Sequence, residues 1–178
     1  KGGIWRSTDD GRNWEFLALP TRQIISIAID PNNENIIYAG ANLASEGALY
    51  RSMDGGDTWQ SQGQFIQPIW SITIDPDDSN HILVGTLGDG IHESNDMGLT
   101  FEQIGSPTNG LDNPYVFDMS YAPFGTPYEG TLFAATDSGV YRYDEFSEAW
   151  SLFGIGSEDF QFRTLAFAGT QIYGGTWN

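Results

Sequence analysis

The 178-residue chain predicts an all-β fold, a β-propeller of four-stranded antiparallel blades, and three observations carry that expectation. An octapeptide of the form Ser-x-Asp-x-Gly-x-Thr-Trp recurs along the chain, the recurrence has the length of one propeller blade, and an alternating apolar run belongs to each copy. The octapeptide is complete at Ser52, Asp54, Gly56, Thr58 and Trp59. It stands with one change at Ser7, Asp9, Gly11 and Trp14, where Asn13 replaces Thr, and at Ser94, Asp96, Gly98 and Phe101, where Phe replaces Trp. A fourth, degenerate copy keeps Trp150 and an acid at Glu145 but holds Tyr143, Ser147 and Ala149 in the Ser, Gly and Thr slots. The terminal aromatics Trp14, Trp59, Phe101 and Trp150 are spaced by 45, 42 and 49 positions. That spacing gives about four blades.

Each unit follows one grammar. The first strand is a period-two apolar run, at 24–30, 69–75, 116–121 and 163–168. A turn follows that is rich in Pro, Asn and Asp, as at 30–33 and 75–78, where proline presets φ and Asx side chains bond nearby backbone. The second strand is a short apolar run ending in small residues, at 36–40, 82–86, 132–136 and 172–176, which suits close backbone packing. The third strand is read at 3–6, 47–51, 90–93 and 139–142, and the octapeptide then turns the chain into the fourth. The blades are therefore 24–62, 69–104, 116–153 and a split one, 163–178 with 1–18, within a single domain spanning 1–178. The first and last blade is thus shared between the termini, the register of a ring closed by pairing its two ends. Two other readings stay open: a piece of a longer propeller, or one of two half-rings that associate into eight blades.

These residues resemble the Asp-box, or BNR, repeat family of β-propellers, found in sialidases, xyloglucan-active glycoside hydrolases, sortilin-type receptors and photosystem assembly factors. The resemblance covers nearly the whole chain. It implies a structural octapeptide, in which the oxygens of Asp9, Asp54 and Asp96 bond turn amides, the glycine takes positive φ, and the aromatic packs between neighbouring strands. Chemistry agrees, because a short carboxylate accepts several N–H groups in a tight turn and glycine enters positive φ freely.

Composition limits the function. The chain has 24 acidic against 7 basic residues, a formal net charge of −17 and a single lysine, Lys1, so nucleic acid is a poor partner. The charge favours solubility, with a calcium-rich or saline exterior as the sharper alternative. No apolar run approaches the roughly 20 residues of a membrane span. The absence of cysteine excludes disulfides, thiolate nucleophiles and zinc-thiolate sites together, and the expected setting is a bacterial secreted, surface or periplasmic protein. His81 and His92 have no second histidine at ligand spacing, so no metal site is expected. Calcium at Asp75, Asp77 and Asp78 is the one cofactor to weigh, and the proline turn there explains the same residues without an ion.

Function is expected in the loops at the ends of the ring. On the face opposite the octapeptides, Trp70, Tyr115 and Trp177 offer flat apolar platforms and Glu46, Asp89 and Asp137 offer acceptors, a combination suited to sugar rings. Trp70 and Trp177 have a second role open, filling gaps between blades. A non-catalytic extracytoplasmic binding or scaffold module for a protein or glycan is the first function class. The second is a glycoside hydrolase, which needs two carboxyl groups roughly 5 to 9.5 Å apart. The segment 135–142 resembles the turn that carries a catalytic Asp in xyloglucan-active propellers, which makes Asp137 the candidate, with Glu46, Asp89, Glu158 or Asp159 as its partner. Those enzymes pair two seven-bladed domains, and this sequence holds no second domain. A sialidase needs an arginine triad, whereas Arg6, Arg51 and Arg142 recur as repeat structure and Arg12, Arg22 and Arg163 do not restore the pattern.

Overall fold

A computed structural model describes residues 2–17, 19, 23–44 and 46–177; the Asn178 to Lys1 junction and Arg22 lie outside the described residues. Strands β3 (Ile24–Asp30), β4 (Asn33–Leu43), β5 (Glu46–Ser52) and β6 (Gln60–Phe65) form one antiparallel sheet in sequence order. The second sheet holds β7 (Ile69–Ile74), β8 (Ile82–Thr86), β9 (Ile91–Ser94) and β10 (Glu102–Gly105). The third holds β11 (Val116–Tyr121), β12 (Leu132–Thr136), β13 (Gly139–Asp144) and β14 (Ala149–Leu152). The ends form two-stranded sheets, β1 (Ile4–Arg6) with β2 (Glu15–Leu17) and β15 (Phe162–Ala168) with β16 (Gln171–Thr176). The hairpins β15–β16 and β1–β2, expected as the two halves of one split blade, stand in separate sheets.

The core lies between blades rather than within them. Ile4 and Leu17 pack on Ala39, Tyr38 and Leu49 on Ile69 and Ile82, Leu83 and Ile91 on Val116 and Met119, and Phe133 on Leu165. That order sets β1–β2 at one end of a row of sheets and β15–β16 at the other. Every residue of β8 and β12 is buried, since a second strand is covered on both faces. Hence its small residues: a Cβ on Gly40 would lie 2.6 Å from Ile69 Cγ2, and one on Gly85 2.8 Å from Val116 Cγ1.

The octapeptide is a self-contained turn. Ser52 Oγ donates to Asp54 Oδ1 at 2.8 Å and accepts the Gly56 N–H at 2.8 Å. Asp54 in turn accepts the Thr58 N–H at 2.8 Å and the Thr58 hydroxyl at 2.6 Å. Gly56 has φ +97°, the left-handed region that glycine enters without strain. The same bonds recur around Ser94, Asp96 and Thr100, and around Ser7, Asp9 and Asn13. They hold the Asp54 and Asp96 carboxyls down at about 2, chiefly through the Thr58 and Thr100 hydroxyls, and lower Asp9 through Asn13.

The terminal aromatic packs on the preceding sheet. Trp59 joins Ile4 and Leu17, Phe101 meets Phe65 edge-on at 5.1 Å, and Trp150 is buried beside Ile104. Trp14 departs from this, 60% exposed, because among the described residues no sheet stands before its own. The degenerate copy departs too. Its turn is capped not by Glu145 but by Asp144, whose Oδ1 accepts the Ser147 N–H at 2.9 Å and the Ser147 hydroxyl at 3.0 Å. With Tyr143 in place of the serine hydroxyl, β13 and β14 pair out to Asp144↔Ala149, and the acid one position earlier reaches the turn.

Candidate functional site

Each first strand carries a β-bulge at the same place. Pairing jumps from Ile24↔Ala41 to Ser26↔Gly40, from Ile69↔Thr86 to Ser71↔Gly85, from Val116↔Thr136 to Asp118↔Ala135, and from Phe162↔Thr176 to Thr164↔Gly175. The residues left out of the ladder are Ile25, Trp70, Phe117 and Arg163. A bulge bends its strand and re-aims the spare side chain. Four repeats of one irregularity therefore set out a row of four side chains.

Three of them touch, and Trp177 extends the row. Trp70 meets Phe117 edge-on at 6.2 Å between ring centroids. The Arg163 guanidinium lies 3.5 Å from the centre of the Phe117 ring and 5.1 Å from that of Trp177, a cation–π stack on both sides. Arg163 Nη2 also donates to Asp137 Oδ1 at 3.1 Å and to Gln161 Oε1 at 3.1 Å, so its orientation is fixed by an acid and an amide. Trp70 and Trp177 are 37% and 73% exposed and belong to none of the buried clusters, while Trp70 also packs edge-on against Phe117 of the next blade.

The other residues expected on this face divide. The Tyr115 carbonyl accepts the Asp137 N–H at 3.3 Å, and Tyr115 bridges to Leu87, so the backbone of this half-exposed residue is joined to the turn that carries Asp137. Asp89 is turned to its own blade, bonded to His92 Nε2 at 2.9 Å and to Gln103. Glu46 opens β5 opposite Leu43, exposed and away from these contacts, and Glu158 and Asp159 lie in an exposed 3-10 turn at Ser157–Asp159. Phe117 and Arg163 were not singled out as ligand contacts from sequence, although the period-matched column Ile25, Trp70, Phe117, Arg163 is visible there.

A second polar cluster lies on the octapeptide side, where the sequence offered no function for His81. His81 Nδ1 lies 3.0 Å from Asp75 Oδ2 and its Nε2 2.8 Å from Glu93 Oε1. The Tyr121 hydroxyl of the next blade stands 3.4 Å from Nδ1. Glu93 occupies the slot of Arg6 and Arg51, which donate to carbonyls of the next octapeptide turn, Gly55 at 2.9 Å and Met97 at 2.7 Å. Beside the degenerate turn, Glu93 bonds His81 instead. A cavity of about 440 Å³ opens there, walled by His81, Glu93, Glu102, Tyr121, Tyr143 and Glu148.

Two of the carboxylates weighed for calcium bond within their own turn: Asp75 Oδ1 accepts the Asp77 N–H and Asp78 Oδ1 accepts from Asn80. Among the described residues, no group of three or more His, Asp or Glu side chains is arranged to hold a metal ion. None of the described helices is long and apolar enough to cross a membrane.

No protein-family model matches the sequence, and no curated protein matches it. Solved structures match the fold. A GH74 enzyme from Niastella koreensis superposes with TM-score 0.76 at 17% identity, over 98% of this chain and 30% of the enzyme. The GH74 xyloglucanase from Xanthomonas campestris gives 0.74 at 16% identity, over 92% and 29%. YCF48 bound to D1 peptide gives 0.63 at 21% identity, over 96% and 54%. The chain spans between about a third and about half of these structures, and the likeness establishes a β-propeller fold.

Proposed function

We propose that this chain is a non-catalytic, extracytoplasmic binding module, and that it holds an extended glycan across the row Trp70, Phe117, Arg163 and Trp177. The observation that carries this reading is the repeated bulge, which presents flat rings and a pinned guanidinium side by side on one face. Apolar faces of sugar rings stack on exposed aromatics, while hydroxyl groups accept from Arg163 and donate to the free oxygen of Asp137. The acidic, cysteine-free composition supports a location outside the cytoplasm, in a bacterial setting.

Calorimetric titration with soluble neutral polysaccharides, xyloglucan first, tests the reading. Trp70→Ala and Trp177→Ala are each expected to weaken binding by tenfold or more, the loss of one stacking platform, with thermal stability nearly unchanged for Trp177, which is 73% exposed, and modestly lowered for Trp70, which is 37% exposed and packs on Phe117. Polysaccharide affinity unaltered in both variants, or binding of a peptide alone, would refute it.

Glycoside hydrolysis is a second reading, favoured by the position of Asp137 on the β12–β13 turn. Against it, Asp137 Oδ1 is held by Arg163, and none of Glu46, Asp89, Glu158 or Asp159 shares that cluster. Release of reducing ends that disappears in Asp137→Ala would favour hydrolysis over simple binding.

A further inference from the structure

The arginine column shows what one junction lacks. Arg6 stands on β1 opposite Glu15 of β2, and its guanidinium is clamped between two acids, with Nη2 3.1 Å from Glu15 Oε2 and Nη1 2.9 Å from Asp57 Oδ1. Nη1 also donates to the Gly55 carbonyl at 2.9 Å. Strand pairing therefore supplies one acid of the clamp, and the octapeptide turn of the next blade supplies the other. Arg51 repeats the reach across the following junction, donating to the Met97 carbonyl at 2.7 Å.

Between the second and third complete blades both acids are present and the arginine is not. Glu102 pairs with Glu93 as Glu15 pairs with Arg6, and Glu148 holds in the fourth octapeptide the place that Asp57 holds in the second. Glu93 thus fills the arginine position with a like charge, which is unfavourable directly opposite Glu102. The cavity of about 440 Å³ lies at this place, lined by Glu93, Glu102, Glu145 and Glu148 and by the rings of Tyr121 and Tyr143. Its one basic lining group is His81, already bonded to Asp75 and Glu93. Burial raises the Tyr143 hydroxyl above its ordinary value, and Glu93, Glu148, Glu145 and Glu102 each raise it further, so the four carboxylates converge on that ring. Glu102, Glu145 and Glu148 are exposed, which leaves the clamp open to solvent.

We infer that this junction takes the guanidinium of an arginine from a partner polypeptide, held between Glu102 and Glu148 as Arg6 is held between Glu15 and Asp57, with the Tyr121 and Tyr143 rings as walls. The planar fork of a guanidinium reaches two carboxylates at once, as it does in Arg6, whereas an ammonium is a point charge. Tyrosine faces add cation–π attraction. The site lies on the octapeptide side, apart from the row that holds Trp70, Phe117 and Arg163, so either can be lost without the other.

An NMR titration with acetyl-Gly-Gly-Arg-Gly-Gly amide at low ionic strength should shift the amide signals of Glu102 and Glu148 saturably. The same peptide with citrulline, its neutral isostere, should bind at least about tenfold more weakly. Glu102→Gln and Glu148→Gln, both at exposed positions, should each weaken the arginine peptide by about threefold, the scale of one partly exposed ion pair. Glu158→Gln, in the exposed 3-10 turn, should leave it unchanged, which separates the clamp from the general pull of a chain of net charge −17. Glu93→Arg supplies a guanidinium from within and should abolish binding. The absence of a saturable shift, equal binding of the citrulline peptide, the same loss in Glu158→Gln as in the two clamp variants, or full affinity in Glu93→Arg would each overturn the inference.

Discussion

Truncating Phe133 to Ala is expected to cost about 3–5 kcal/mol and to release the β15–β16 sheet before the rest of the row. The ring is fully buried on β12 and meets three others, Phe153 at 5.0 Å, Phe167 at 5.5 Å and Tyr128 at 5.8 Å between centroids. Phe167 belongs to β15, so this cluster joins the last complete blade to the terminal sheet. Removing its centre leaves a hole that neighbouring strands, hydrogen-bonded on both edges, cannot collapse to fill. Phe133→Leu keeps most of the volume and should cost on the order of 1 kcal/mol. Urea midpoints for the three proteins test the sizes, and amide exchange in β15 and β16 tests the order. A loss below about 1 kcal/mol for the alanine variant would show that the terminal sheet is held elsewhere.

The row of sheets was legible because propeller blades repeat. Period-two runs, small residues at the ends of second strands and the octapeptides each recur, so the same strand order is written several times within one chain. What was hidden depends on departures from the repeat or on contacts between blades. The bulged column is a property of register: nothing local to Phe117 tells that it is skipped between Val116 and Asp118. Arg163 read as a stray arginine because its partners, Phe117, Asp137 and Trp177, lie on three different segments. Glu93 could have been found. It is the acid in a column whose other members are Arg6, Arg51 and Arg142, and the break falls one blade before the degenerate octapeptide. Both changes meet at one junction, where an arginine would have no octapeptide turn to bond and a histidine takes up the acid.

That junction should give the protein an alkaline stability limit. The hydrogen bond to Glu93 is the main cause that holds the His81 imidazolium, pushed up to about 9, with burial opposing and Asp75 adding to it. Reciprocally, His81 holds the Glu93 carboxyl below its ordinary range. Tyr121, packed across the blade boundary on the same ring, is raised by burial and by the nearby carboxylates, so it stays neutral and contributes no charge change. A raised histidine contributes stability that is whole below its unfolded value near 6.5 and is lost as pH climbs through about 9. The size is roughly 2–3 kcal/mol for a side chain 19% exposed. The acids run the other way. Glu93, Asp54 and Asp96 are lowered, so their contribution is whole above the unfolded carboxylate range and fades as acid approaches about 2 for the two aspartates. Urea midpoints should therefore form a plateau between about pH 5 and 6.5, followed by an alkaline decline that His81→Gln removes. The variant should also be weaker at pH 7, since Asp75 and Glu93 then face each other without the cation between them. An unchanged alkaline decline in His81→Gln would assign that limb to groups other than this cluster.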